Sequence, residues 1–169
     1  MDPDLLAAAV RVLDANRAAG RTIAAAESCT GGLVMAALTE IAGASDVVDR
    51  GFVTYSNEAK MEAIGVNRDI LETFGAVSIA VAWAMAQGAL KHSHADTAVA
   101  VTGIAGPGGG SDKKPVGTVV FARAERNGDP GVVVADVRHF GDLGRSEIRR
   151  QAALVALELL MPDAAAVAP

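Results

Sequence analysis

The feature that most constrains the fold of this chain is an alternation of short apolar runs with stretches of helical spacing. Thr22–Ala26 and Thr97–Val101 are brief and almost wholly apolar, and Val47–Tyr55 is rich in β-branched and aromatic residues. Runs of that length flanked by turn residues read as buried strands. Between them the spacing changes. Asp2 before Pro3 predicts a helix start, and Leu5, Leu6, Val10 and Leu13 carry that helix towards Gly20. A second helix is expected from Leu33 to about Ile41, and Asn57 is expected to cap a short one that contains Lys60 and stops at Gly65. Asn67 and Ser78 precede two more, the latter running through Ala82, Met85, Ala86 and Leu90 to His92. Gly117–Ala124, the turn Asn127-Gly128-Asp129 and Val132–Phe140 predict a hairpin. A closing helix from about Arg145 to Leu160 is stopped by Pro162, and Ala164–Pro169 is expected to be a frayed tail. Strands alternating with helices, followed by a hairpin, predict an α/β fold: a three-layer α/β/α sandwich with a mixed sheet, in one domain over residues 1–169.

Composition refines this picture. Hydrophobic residues make up 51% and aromatics 4%, so the core must be built from Ala, Val, Leu and Ile, which suits close packing of helices on a sheet. The net charge of −5 and the scatter of Lys and Arg lack the basic footprint of a nucleic-acid binder and point to a small-molecule partner. No apolar run reaches membrane-spanning length and no basic n-region opens the chain, so neither anchor nor signal peptide is expected. Cys29 is the single cysteine, which excludes an internal disulfide and fits a cytoplasmic location. His92 and His94 lie close together without a completing ligand set, so no metal and no cofactor are expected.

Ser28, Tyr55 and Thr102 each follow a predicted strand closely, so three segments bring polar groups to one sheet edge, where ligands of such folds bind. Ser28 sits where a strand turns into a helix, beside backbone N–H groups of Cys29, Thr30 and Gly31 that could hold an oxyanion; an ordinary N-cap serine is the plainer alternative. Lys60 is a candidate base for that serine, which requires it to be neutral, through burial or a neighbouring cation that lowers its pKa; a solvated lysine is the alternative. Tyr55 could relay a proton or simply be a half-buried strand residue, and Cys29 is a rival nucleophile or a packing residue. The segment from Gly103 through Gly106 to Gly110 could bring amides to a phosphate, with Lys113 and Lys114 nearby, while Arg145 and Arg149 share one face of the closing helix. Glu27, Asp46 and Glu58 show no spacing that makes them a pair.

Ala26-Glu27-Ser28-Cys29-Thr30-Gly31-Gly32, Val53-Thr54-Tyr55-Ser56-Asn57 with Lys60, Gly75-Ala76-Val77-Ser78, Val101-Thr102-Gly103-Ile104-Ala105-Gly106-Pro107-Gly108-Gly109 and Lys114-Pro115-Val116-Gly117-Thr118 together resemble the CinA C-terminal domain family, in family order and over nearly the whole chain. The resemblance implies a three-layer sandwich similar to an anticodon-binding domain, assembled as a homodimer or larger homo-oligomer. It also implies a nicotinamide-nucleotide amidase, converting nicotinamide mononucleotide and water to nicotinate mononucleotide and ammonia. It places the nucleophile at Ser28, the base at Lys60 and a supporting role at Tyr55, with substrate contacts from Thr30, Gly31, Thr102, Gly103, Gly106 and Arg145. Where the family commonly runs Gly-Asp-Arg, Gly141-Asp142 is here separated from Arg145 by Leu143-Gly144. Many relatives add a domain resembling a molybdopterin-binding fold; 169 residues leave no room for it, and its activity is expected to be absent. The alternative reading is a non-catalytic nucleotide-binding or regulatory module of the same family.

Overall fold

A computed structural model describes residues 1–163; the tail expected at Ala164–Pro169 lies outside the described residues. In chain order the elements are α1 (Pro3–Ala18), β1 (Ile23–Glu27), α2 (Leu33–Thr39), a short 3-10 turn (Ala44–Asp46), β2 (Val48–Val53), α3 (Asn57–Ile64), α4 (Arg68–Phe74), α5 (Ile79–Lys91), β3 (Thr97–Gly103), β4 (Thr118–Glu125), β5 (Val134–His139) and α6 (Arg145–Leu159). Local chemistry sets several of the helix starts. Asp2 accepts from the amides of Asp4 and Leu5, Asn67 from Asp69, and Ser78 from Val81, as side-chain caps do. The cap of α3 is Ser56, whose hydroxyl accepts from Ala59 N–H, and not the expected Asn57: Ser56 is the extended residue and Asn57 is already helical.

The five strands form one mixed sheet in the order β2-β1-β3-β4-β5, with β1 parallel to β2 and β3, and the last two pairs antiparallel. β2 leaves the ladder at Val53, two residues before the expected end at Tyr55. β5 begins at Val134 and not at Val132, because Val132 and Gly131 donate to the carbonyl and carboxylate of Asp129 and close a wider loop. Helices cover both faces, giving the three layers. Ile23, Ala25, Val99, Val101, Val119 and Phe121 face α1, α2 and α6, while Ala24, Ala26, Ala98, Ala100 and Ala122 face α5. Small strand residues on that second face let α5 settle close to the sheet, which is how a core with few aromatics fills its space.

The crossovers decide where a ligand can sit. The chain leaves β1 through α2 on one face to reach β2, then returns through α3, α4 and α5 on the other face to reach β3 on the opposite side of β1. Such a reversal parts the loops above neighbouring parallel strands and opens a crevice at their carboxyl ends. Here that crevice lies above β1 and β3.

Candidate active site

Ser28 follows the last residue of β1, and its amide donates to Val101 O on β3 at 2.9 Å, so the strand pairing itself sets its position. The chain then turns through Gly31 and Gly32, whose φ angles of 59° and 96° lie in the left-handed region that a side chain disfavours. The N-cap of α2 is Gly32, which removes the capping role considered for Ser28. The Ser28 hydroxyl instead meets Lys60 Nζ at 3.0 Å.

Lys60 lies in the first turns of α3, where side chains lean back towards the helix N-terminus. That lean carries Nζ beneath the end of β2, 2.9 Å from Thr54 O and 3.5 Å from Ser56 O. Only 1% of Lys60 is exposed, and it forms no ion pair among the described residues. Burial lowers its pKa from the ordinary 10.5, because an ammonium loses hydration here without gaining a carboxylate. A neutral amine has two N–H bonds and one lone pair. The two carbonyls can take the N–H bonds, which leaves the lone pair for the Ser28 hydroxyl proton. Cys29 is buried beside this pair, and burial is the main cause that pushes its thiol up to about 12. At neutral pH it is therefore a thiol and not the thiolate that a nucleophile requires.

Ser28, Cys29, Tyr55, Lys60, Thr102 and Arg145 line one cleft of about 230 Å³. Arg145, despite the two-residue insertion before it, points into this cleft and donates to Gly106 O at 2.9 Å and to Tyr55 Oη at 2.7 Å. Tyr55 is 58% exposed, so it forms the cleft's outer wall and not a half-buried strand position. Thr102 is buried, and its hydroxyl donates to Ala76 O at 2.9 Å, tying β3 to the loop before α5. Gly103 lies against Thr118 and Val119 of the neighbouring strand. Thr30 is fully buried and its hydroxyl has no hydrogen-bond partner among the described residues. Of the three amides expected to face an oxyanion, that of Gly31 donates to Ser28 O at 3.0 Å, while those of Cys29 and Thr30 donate to no other residue among those described. Lys114 is committed to Phe74 O and Arg149 to Thr30 O. His92, the residue that caps the end of α5, has Nδ1 2.9 Å from Gly88 O.

Two participants stand inside the motif segments but received no role from the sequence. Thr54 contributes a main-chain carbonyl, which no side-chain pattern could reveal. Glu27 is fully buried, and its carboxylate accepts from the amides of Gly32, Val34 and Met35 at 3.0, 3.1 and 2.9 Å. A charge ending an otherwise apolar strand was the available clue, since a buried carboxylate demands partners.

Fold and site thus define a three-layer α/β/α domain that holds a buried serine–lysine pair at the carboxyl edge of its parallel strands. Residues 6–163 match the family model described as the CinA C-terminal domain. The chain is 50% identical over 159 residues to nicotinamide-nucleotide amidohydrolase PncC of Escherichia coli strain K12, covering 94% of each protein. It is 54% identical over 144 residues to a CinA-like protein of Mycolicibacterium paratuberculosis, covering 84% of this chain and 33% of that longer protein. The crystal structure of competence/damage inducible protein CihA from Agrobacterium tumefaciens superposes with a TM-score of 0.90 at 52% identity, covering 95% of each chain. The competence damage-inducible protein A of Klebsiella pneumoniae gives 0.87 at 36% identity, covering 95% of this chain and 97% of that one. The chain belongs to the CinA C-terminal domain family. No helix among its described residues is long and apolar enough to cross a membrane.

Proposed function

We propose that this protein is a nicotinamide-nucleotide amidohydrolase that converts nicotinamide mononucleotide to nicotinate mononucleotide and ammonia. The observation that carries the reading is the buried Lys60 Nζ at 3.0 Å from Ser28 Oγ, with two main-chain carbonyls beside it and, among the described residues, no carboxylate paired with it. The similarity to the Escherichia coli amidohydrolase over 94% of the chain supplies the substrate class.

Neutral Lys60 takes the Ser28 proton as the oxygen attacks the carboxamide carbon. The carbonyl oxygen becomes an anion, for which the Cys29 and Thr30 amides are the available donors. The tetrahedral intermediate collapses as the C–N bond breaks, and the proton held on Lys60 passes to the leaving nitrogen, releasing ammonia. Water attacks the resulting ester, Lys60 accepts one of its protons, and cleavage of the acyl bond returns that proton to Ser28 and frees the carboxylic acid, which gives its remaining proton to solvent as it ionises. Tyr55 accepts from Arg145, which leaves its own O–H free to hydrogen-bond the departing nitrogen while Lys60 supplies the proton. Arg145, at the cleft mouth, is the cation placed to meet the nucleotide phosphate.

Ammonia release from nicotinamide mononucleotide, with free nicotinamide as a parallel substrate, tests this directly. Activity on the nucleotide that vanishes in Ser28→Ala is the expected result. Arg145→Ala is expected to raise KM with little change in kcat. Saturable nucleotide binding without ammonia release would instead favour a binding module, and near-normal turnover by Ser28→Ala would remove the nucleophile assignment.

A further inference from the structure

Two ionic groups, Glu27 at the end of β1 and Arg149 of α6, bear on the turn that carries Ser28 and take no part in the proton path. Glu27 makes no hydrogen bond to Ser28 or Lys60; all three of its contacts go to the start of α2, at Gly32, Val34 and Met35. The remaining first-turn amide, that of Leu33, donates to Thr30 O at 3.3 Å. The amides that usually make a helix start attractive to an anion are therefore spent inside the fold, so α2 offers none of them to a substrate oxyanion. From the same layer of helices, Arg149 of α6 donates to the same Thr30 carbonyl at 2.8 Å.

Together these contacts grip the turn at both ends. Glu27 closes a loop onto Gly32, a cap residue with no side chain of its own, and Arg149 fixes the peptide that follows Thr30. Inside the turn, Gly31 N–H holds Ser28 O. Carbonyl and N–H point in opposite directions across a trans peptide, so holding Ser28 O inward turns Cys29 N–H outward. Gly32, with φ at 96°, is in a conformation that a serine or aspartate cap would strain, so the start of α2 takes its acceptor from Glu27 instead. A carboxylate five residues upstream adds something a cap residue cannot: it ties the end of β1, the nucleophile turn and α2 into one unit.

Resting on the amidase reading, we propose that Glu27 and Arg149 are positioning residues that hold the Cys29 and Thr30 amides in place as the oxyanion donors. Steady-state kinetics of Glu27→Gln and Arg149→Gln on nicotinamide mononucleotide, with hydrogen–deuterium exchange over residues 28–35, test the assignment. The expected result is a fall in kcat of roughly ten- to a hundredfold, the scale of a small misplacement of reacting groups, with KM within about twofold. The pH midpoint of kcat/KM stays where Lys60 sets it, exchange over 28–35 accelerates, and Arg149→Lys recovers part of the rate. Normal kcat in the folded variants, a raised KM alone, or a shifted pH midpoint would overturn the proposal. Should Glu27→Gln fail to fold, Arg149→Gln and its lysine counterpart decide by the same readouts. Wild-type protein that releases no ammonia sinks the amidase reading itself, a result distinct from slow variants of an active enzyme. Unchanged exchange over 28–35 overturns the grip in either case.

Discussion

Lys60 shows how one residue's environment fixes its chemistry. The cause of its lowered pKa is desolvation, so the protonated form is disfavoured in the fold but not in the unfolded chain, where the value returns to about 10.5. Below the folded pKa both states bind the proton and the fold bears the full cost of burying an ammonium. Between the folded pKa and 10.5 only the unfolded state binds it, and stability rises with pH. The expected outcome is that wild type gains stability relative to Lys60→Met as pH climbs through that window, measured by urea denaturation at several pH values. Activity carries the same sign: kcat/KM should rise with pH along a limb set by Lys60 and then level off, and Lys60→Met should lose turnover at every pH. A rate that falls as pH rises from neutrality would mean that the lysine acts as a cation. Sequence alone raised this lysine as a candidate but could not choose between solvated and buried, because the choice depends on Thr54, Ser56 and Ser28 surrounding it in space.

At the scale of elements, the pair depends on how α3 meets α5. Gly88 lies in α5 against the end of α3, and a Cβ there would sit 2.1 Å from the Ile64 carbonyl oxygen. Gly88→Ala would gain about 1 kcal/mol of helix propensity. The contact is with backbone, which cannot rotate away, and overpacking of this kind costs about 1–3 kcal/mol or more. Net destabilisation is therefore expected, and because the displaced helix carries Lys60, kcat should fall along with the melting temperature. A variant that melts higher at full activity would show that α3 yields without moving its lysine. Most element starts were legible from cap residues such as Asp2, Asn67 and Ser78. The cap of α3 was misplaced by one residue because Ser56 and Asn57 are both good caps and the backbone conformation selects between them. The late start of β5 was illegible for a similar reason, since Asp129 gathers Gly131 and Val132 into the loop although their neighbours favour strand.

For the whole molecule, the two core clusters share a single sheet, with β1, β3 and β4 contributing alternate residues to each. Neither layer of helices can separate without exposing a face of those strands. We expect one cooperative unfolding transition, the signature of a single domain. Phe121→Ala on one face should destabilise by about 3–5 kcal/mol and Met85→Ala on the other by about 2–5 kcal/mol, each shifting that transition as a unit. Two separable transitions by fluorescence and circular dichroism would show that the layers unfold independently.

The order of strands and helices, the Ala-rich character of the core and the presence of a serine at a strand-to-helix turn were fixed by the sequence itself, because apolar periodicity, cap residues and glycines act over a few neighbouring positions. What tertiary structure decided is which of the candidates meet. The reversal of direction between β2 and β3 puts Ser28 beside Thr102, α3 swings Lys60 under Ser28, and α6 brings Arg145 across to Tyr55 and Gly106. The role of Glu27 belongs to the same category. A carboxylate at the end of a strand says only that it must find donors; that those donors are the amides of the next helix follows from the path of the chain between them.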